Sequence, residues 1–176
     1  MTTDRKIVLY ISMSLDGYIA TKDNDLSFLS MVEQEGEDYG YGKFTESVDT
    51  VIIGRKTYDK VLDMGYEYPH TNKKVYIISR TTKPSVGSFE HYSGSLTELV
   101  SKLKSQLGKN VYCDGGAEIV NELQKNHLID EYIISIIPIL LGDGIRLFKA
   151  GRPEQKLILT GSKSYENGLI QLHYKA

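Results

Sequence analysis

Three short stretches of this 176-residue chain end an apolar run with residue types that bind anions. In Val51-Ile52-Ile53-Gly54-Arg55-Lys56-Thr57 the run stops at a glycine, and a basic, hydroxyl-bearing helix start follows. The free N–H groups and positive dipole of a helix N-terminus suit a phosphate. Gly54 lets a ligand approach the backbone, Arg55 offers two parallel hydrogen bonds, and the Thr57 hydroxyl adds another. The plainer alternative is that Thr57 only caps a helix and Arg55 is solvated. In Val111-Tyr112-Cys113-Asp114-Gly115-Gly116-Ala117-Glu118 two adjacent glycines would clear space for a pyrophosphate at a sheet's carboxyl edge. A purely steric helix entry explains them as well, and the spacing is not the GxGxxG dinucleotide fingerprint.

Tyr76-Ile77-Ile78-Ser79-Arg80 supplies a third strand end. Parallel α/β sheets bind ligands outside the carboxyl ends of their strands, so the three ends would converge on one polyanion. The pair Arg55 and Arg80 would suit the additional 2′-phosphate of NADPH. Alone, Arg80 reads as a solvated loop charge. Gly142-Asp143-Gly144 reads as a surface turn.

Strands must carry these corners. Residues 6–15, 49–54, 73–80, 110–116 and 130–140 are apolar, β-branched runs of strand length. Pro138 within the last predicts a bulge or an edge position. Between the runs lie helical patterns at 57–65, 95–108 and 117–128. The second opens with Ser95 and Glu98 in capping-box spacing and carries a stripe of Leu96, Leu99, Val100, Leu103 and Leu107. Asn167-Gly168, between two extended segments of 155–175, predicts a two-residue hairpin turn. The sum is an α/β fold: a three-layer α/β/α domain over residues 1–176, its central sheet mixed, mostly parallel, and closed by a C-terminal antiparallel hairpin.

Composition excludes other classes. Hydrophobic residues make up 40%, no apolar run reaches membrane-spanning length, and the start of the chain reads as a strand and not as a signal peptide. A net charge of −2 with dispersed lysines and arginines gives no nucleic-acid footprint. The single cysteine, Cys113, excludes an internal disulfide and a multi-thiolate zinc site, and suits a reducing cytoplasm. It reads as a buried small hydrophobe. The four histidines lack metal-ligand spacing.

Five segments in order, Ser14-Leu15-Asp16-Gly17-Tyr18-Ile19-Ala20, then 48–58, 76–80, 114–123 and 129–148, resemble the dihydrofolate reductase-like superfamily. Within it they resemble the reductase domain at the C-terminus of the bifunctional riboflavin-biosynthesis deaminase/reductase, the RibD C-terminal domain family. The resemblance spans nearly the whole chain. It implies about eight strands, an NADPH site at the strand ends, hydride transfer to a small heterocyclic or sugar-bearing substrate, and a homodimer. It implies that Asp16-Gly17 starts a loop over the nicotinamide, with Ile19 and Ala20 against the ring and backbone groups near Ile11 and Ser12 on its carboxamide. An ordinary Asp-Gly hairpin is the alternative. Gly54, Arg55, Lys56 and Thr57 would bind the pyrophosphate and 2′-phosphate. Ser79 and Arg80 would flank the adenosine. Gly115 and Gly116, joined by a cis peptide, would underlie the pyrophosphate, with Asp114, Ala117 and Glu118 beside them.

The chain lacks the deaminase's His-x-Glu and Pro-Cys-x-x-Cys signature and the Pro-Trp of folate enzymes. An ungapped count back from Arg55 puts Asp38 where folate reductases hold their acid. In an apolar pocket its pKa would rise, making it a proton donor. Asp16 is the other acid that could face the pocket, and water is a third source. Ser135 matches a pocket-facing position and is a substrate-contact candidate. Tyr39, Tyr41, Tyr66 and Tyr68 read as packing, or as a substrate lid. The resemblance implies 5-amino-6-(5-phosphoribosylamino)uracil of riboflavin biosynthesis as substrate, whose phosphate would need a second basic cluster, for which Lys73, Lys74, Lys149 and Arg152 are available. The expectation is a cytoplasmic NADPH-dependent reductase, with dihydrofolate reductase or a non-catalytic nucleotide-binding module as alternatives.

Overall fold

The computed structural model describes residues 4–81 and 83–176. In chain order the strands are β1 (Ile7–Ser14), β2 (Tyr18–Ala20), β3 (Val48–Gly54), β4 (Lys74–Ile78), β5 (Phe89–Tyr92), β6 (Asn110–Gly115), β7 (Glu131–Ile137), β8 (Ile145–Arg146), β9 (Ile158–Ser164) and β10 (Ile170–Lys175). The helices are α1 (Tyr41–Glu46), α2 (Arg55–Asp63), α3 (Leu96–Lys104) and α4 (Ala117–Lys125), and a 3₁₀ helix spans Ser27–Val32.

The main sheet has eight strands in the order β5-β4-β3-β6-β1-β7-β10-β9. From β5 to β7 neighbours are parallel; β10 runs antiparallel to β7 and to β9. Helices cover both faces. On one, Leu99, Val100 and Leu103 of α3 and Val120 and Leu123 of α4 pack on Ile7, Leu9, Ile52 and Val111. On the other, Phe44 of α1 and Tyr58 and Val61 of α2 pack on Val8, Val51, Ile53 and Tyr112. Burial on both faces is why β1, β3, β4 and β7 read as continuous apolar runs without alternation.

Three local expectations need correcting. Leu107 is 60% exposed, because α3 ends at Lys104 and the apolar stripe outruns the helix. The Ser95 hydroxyl does accept from the Glu98 N–H, at 3.3 Å. The C-terminal turn holds three residues: Tyr165 N–H donates to Leu169 C=O at 2.9 Å, and Gly168 takes φ +87°. A side-chain bond from Asn167 to Val32 C=O (3.0 Å) draws that residue out of a two-residue geometry. Pro138 marks the end of β7 in the interior of the sheet, where a ladder residue without an N–H cannot continue.

Candidate active site

The parallel strands deliver their carboxyl ends to one edge, and the two glycine corners meet there. Gly54 turns β3 into α2, and Gly116 turns β6 into α4. Gly115 adopts φ +99° and is joined to Gly116 by a cis peptide, as the resemblance implied. The Gly116 N–H donates to Thr57 Oγ1 at 2.9 Å, so the start of α2 is tied to the start of α4. A Cβ on Gly116 would stand 2.7 Å from that hydroxyl, and one on Gly54 would stand 3.1 Å from Ile119 Cγ1. A side chain at Gly116 would have to displace Thr57, and one at Gly54 would press on Ile119. Ile11 lies beneath, its Cδ1 3.4 Å from where a Gly115 Cβ would be. In the β3–β4 register Gly54 pairs with Ile78, so Ser79 and Arg80 follow directly beside the first corner. The three strand ends are therefore adjacent.

Positive charge gathers at this edge in an unexpected arrangement. Arg55 is held by Asp59, one turn along its own helix, at 2.7 Å. Lys56 reaches Glu118 at 3.0 Å. The Glu118 carboxyl is held below its ordinary range chiefly by that hydrogen bond, with the Lys56, Lys149 and Arg80 charges adding to it. Lys56, Arg80 and Lys149 thus surround the first turn of α4. Lys149, weighed from sequence as a charge for a substrate phosphate, belongs to this cluster.

The segment after β1 makes a tight turn, Gly17 N–H to Ser14 C=O at 2.9 Å, with Gly17 at φ +89°. Yet β2 does not fold back on β1 as a hairpin; it pairs antiparallel with β8. The segment is therefore a loop docked against β8 and not a plain hairpin. Asp16 explains the docking. Its carboxylate accepts from the Ser14 hydroxyl (2.6 Å), Leu141 N–H (3.1 Å) and Gly142 N–H (2.7 Å), and these bonds lower its pKa. Gly144 lies so close to Ala20 C=O that a Cβ would be 2.2 Å away. Asp16 is a clamp between β1 and residues 141–144, and a carboxylate fixed as an acceptor is unsuited to donate a proton. Ala20 is 2% exposed and offers a ring no side-chain surface, whereas Ile19 is only partly buried.

A cleft of about 200 Å³ opens on the α1/α2 side of the sheet. Tyr10 and Ser12 of β1, Ser135 and Ile137 of β7, Leu29, Val32, Tyr39, Tyr41 and Leu169 line it, with Glu33 and Asp38. Asp38 is here, as the count predicted, but not as an acid with a raised pKa. It is exposed, and its carboxylate accepts from Gly40 N–H (2.8 Å) and Gly42 N–H (2.9 Å), which lowers its pKa. Ser135 is 2% exposed and its hydroxyl accepts from Gln171 at 3.2 Å. Sequence reasoning missed Gln171, which also donates to the Tyr10 hydroxyl and to Tyr39 C=O, both at 3.1 Å. Its place opposite Ser135 in the β7–β10 pair becomes visible only once the register is known. Burial pushes the Tyr10 phenol up to about 12, so it stays protonated.

Asp114, expected at the cofactor, turns its carboxylate the other way, to the hydroxyls of Tyr68 and Tyr112. Only its backbone belongs to the glycine corner. Tyr68 is 4% exposed and packs in this cluster. Tyr66 is 64% exposed. A second cleft, of about 280 Å³, sits at the amino edge of the sheet among Arg5, Lys6, Lys104, Asp130 and Glu131. Lys6–Glu131 (2.7 Å) and Lys104–Asp130 (2.6 Å) neutralise one another there, and the chemistry-bearing corners lie at the opposite edge.

An open α/β sheet with tied glycine corners and a flanking cleft is the arrangement in which open α/β proteins bind ligands, outside the carboxyl ends of their strands. The chain belongs to the RibD C-terminal domain family, whose profile matches residues 5–171. It is 41% identical to the uncharacterized protein YwjB of Bacillus subtilis, with 97% of this chain and 98% of that one covered. A crystal structure of a putative riboflavin biosynthesis protein from Shewanella sp. PV-4 is 30% identical with a TM-score of 0.87, covering 97% and 98% of the two chains. The Thermotoga maritima diaminohydroxyphosphoribosylaminopyrimidine deaminase/5-amino-6-(5-phosphoribosylamino)uracil reductase shares the fold at 13% identity, TM-score 0.72. There the match covers 98% of this chain and 56% of that one.

Proposed function

We propose that the chain is an NADPH-dependent reductase that reduces a small pyrimidine, pterin or ribosyl-bearing substrate. The reaction would be of the kind named for the Thermotoga maritima relative. The observation that carries this reading is the Gly116 N–H to Thr57 hydroxyl bond. It holds two glycine corners together beside Lys56, Arg80 and Lys149. Two helix starts capped by glycines, next to three cations, suit a pyrophosphate with a further phosphate. The first turns of α2 and α4 would hold the diphosphate, and Lys56, Arg80 and Lys149 the 2′-phosphate. Bound NADPH would supply the hydride.

This chain's residues would bind, orient and shield. Hydride addition to a C=N or C=O carbon leaves a negative charge on the heteroatom, which one proton neutralises. Asp16 and Asp38 are both ionised near neutral pH, so water in the cleft supplies that proton. Tyr10, Ser12 and Tyr41 would orient the substrate from the cleft walls. The proposal places the protein in the cytoplasm; no described helix is long and apolar enough to cross a membrane. It also includes a homodimer, which the exposed Ile158, Leu159 and Ile170 on the β9–β10 edge support. The test is loss of NADPH absorbance with 5-amino-6-ribosylaminouracil, free or phosphorylated, against NADH as control. Substrate-dependent oxidation of NADPH supports the reading; failure of NADPH to bind overturns it.

A further inference from the structure

We propose that the cleft takes an uncharged or cationic nitrogen heterocycle bearing no phosphate. This deepens the reductase reading and rests on it. Among the described residues lining the cleft there is no lysine, arginine or histidine, and the two charged ones, Glu33 and Asp38, are acidic. The remaining polar side chains are those of Tyr10, Ser12, Tyr39, Tyr41 and Ser135, and the Tyr39 hydroxyl is taken up by Val32 C=O and Asn167. A phosphate of charge near −2 meets no cation among these, and desolvating it beside two acidic residues is unfavourable.

The backbone donors that could have compensated are already used. The N–H groups of Gly40 and Gly42 face the cleft's acid and are occupied by Asp38 at 2.8 and 2.9 Å. The chain fills its own anion position. Nearby cations are engaged or stand off the lining. The Lys163 ammonium lies 4.3 Å above the Tyr165 ring, outside the lining, and its charge reaches Asp38, one of the two acids, which it helps keep ionised. Lys73 donates to the carbonyls of Thr45 (2.7 Å) and Val48 (3.0 Å). Lys43, on α1, is exposed and outside the lining. Lys56, Arg80 and Lys149 belong to the cofactor edge. The volume agrees: about 200 Å³ is below the roughly 300–1,000 Å³ of sites for drug-sized ligands and suits one ring system. Carboxylates and hydroxyls are, conversely, good acceptors for ring N–H and amino groups.

The experiment uses matched pairs. NADPH binding is first measured by quenching of its fluorescence, which tests the reductase reading separately. The reduction of 5-amino-6-ribosylaminouracil is then compared with that of its 5′-phosphate. Calorimetric binding of 5-amino-6-ribitylaminouracil and its 5′-phosphate to the protein without cofactor gives a readout independent of turnover. The expected result is a preference of about tenfold or more for the unphosphorylated member in both assays. Glu33→Lys, an exposed position, should narrow that preference about fivefold. Equal or better use of the phosphorylated member overturns the inference, as does a preference that Glu33→Lys leaves unchanged. NADPH binding with neither compound bound or reduced also overturns it. Failure of NADPH to bind removes the reductase reading instead.

Discussion

At the scale of single residues, short contacts decide which side chains are free to work. Gly116→Ala would drive a Cβ against Thr57 Oγ1 at 2.7 Å. Overpacking of this kind costs about 1–3 kcal/mol, so denaturant unfolding should show that loss, together with weakened NADPH binding. An unchanged midpoint would mean the corner is loose. Asp38 makes a second prediction. Its folded pKa lies below the ordinary 3.8, so its stabilising bonds are complete above 3.8 and are lost as pH falls through the depressed value. The Gly40 and Gly42 amide resonances should therefore titrate with a midpoint under 3.8; a midpoint above it would restore Asp38 as an acid. Arg55 and Arg80 separate in the same spirit. Arg55 is tethered by Asp59, so Arg80→Ala should discriminate against NADPH relative to NADH more strongly than Arg55→Ala. The resemblance to folate reductases, with an ungapped count from Arg55, placed Asp38 at the cleft. It could not foresee the acceptor role, because the donors Gly40 and Gly42 are backbone groups whose aim depends on the turn between them.

At the scale of elements, ends were harder to read than middles. The stripe of α3 was legible because its leucines repeat at helical spacing, yet Leu107 continued the pattern in a segment that is no longer helix. The contrast is measurable. Leu103→Ala should cost about 2–5 kcal/mol, whereas Leu107→Ala should stay within about 0.5 kcal/mol of wild type in urea unfolding. Equal costs would place Leu107 in the core. β5 was missed: Phe89-Glu90-His91-Tyr92 has no apolar alternation and is half-buried at a sheet edge. The Asp16-Gly17 turn had two local solutions. The choice was made by distant partners, the Leu141 and Gly142 amides, that no local pattern contains. The long central strands were legible because cover on both faces leaves continuous apolar runs.

At the scale of the whole molecule, the sheet separates two kinds of edge. The amino edge is closed by paired charges, Lys6–Glu131 and Lys104–Asp130. The carboxyl edge carries the glycine corners and the three cations around α4. The far side of the sheet ends in β9, which leaves Ile158 64% and Leu159 53% exposed. We expect light scattering to give a homodimer and Leu159→Lys to shift it toward monomer; a monomeric wild type would refute that edge as the interface. The central claim is that three strand ends form one dinucleotide site. Hydrogen–deuterium exchange with and without NADPH tests it most directly. The account predicts joint protection of residues 54–57, 79–81 and 115–118. Protection at a single corner, or at residues 4–6 and 130–131 on the amino edge, would contradict it.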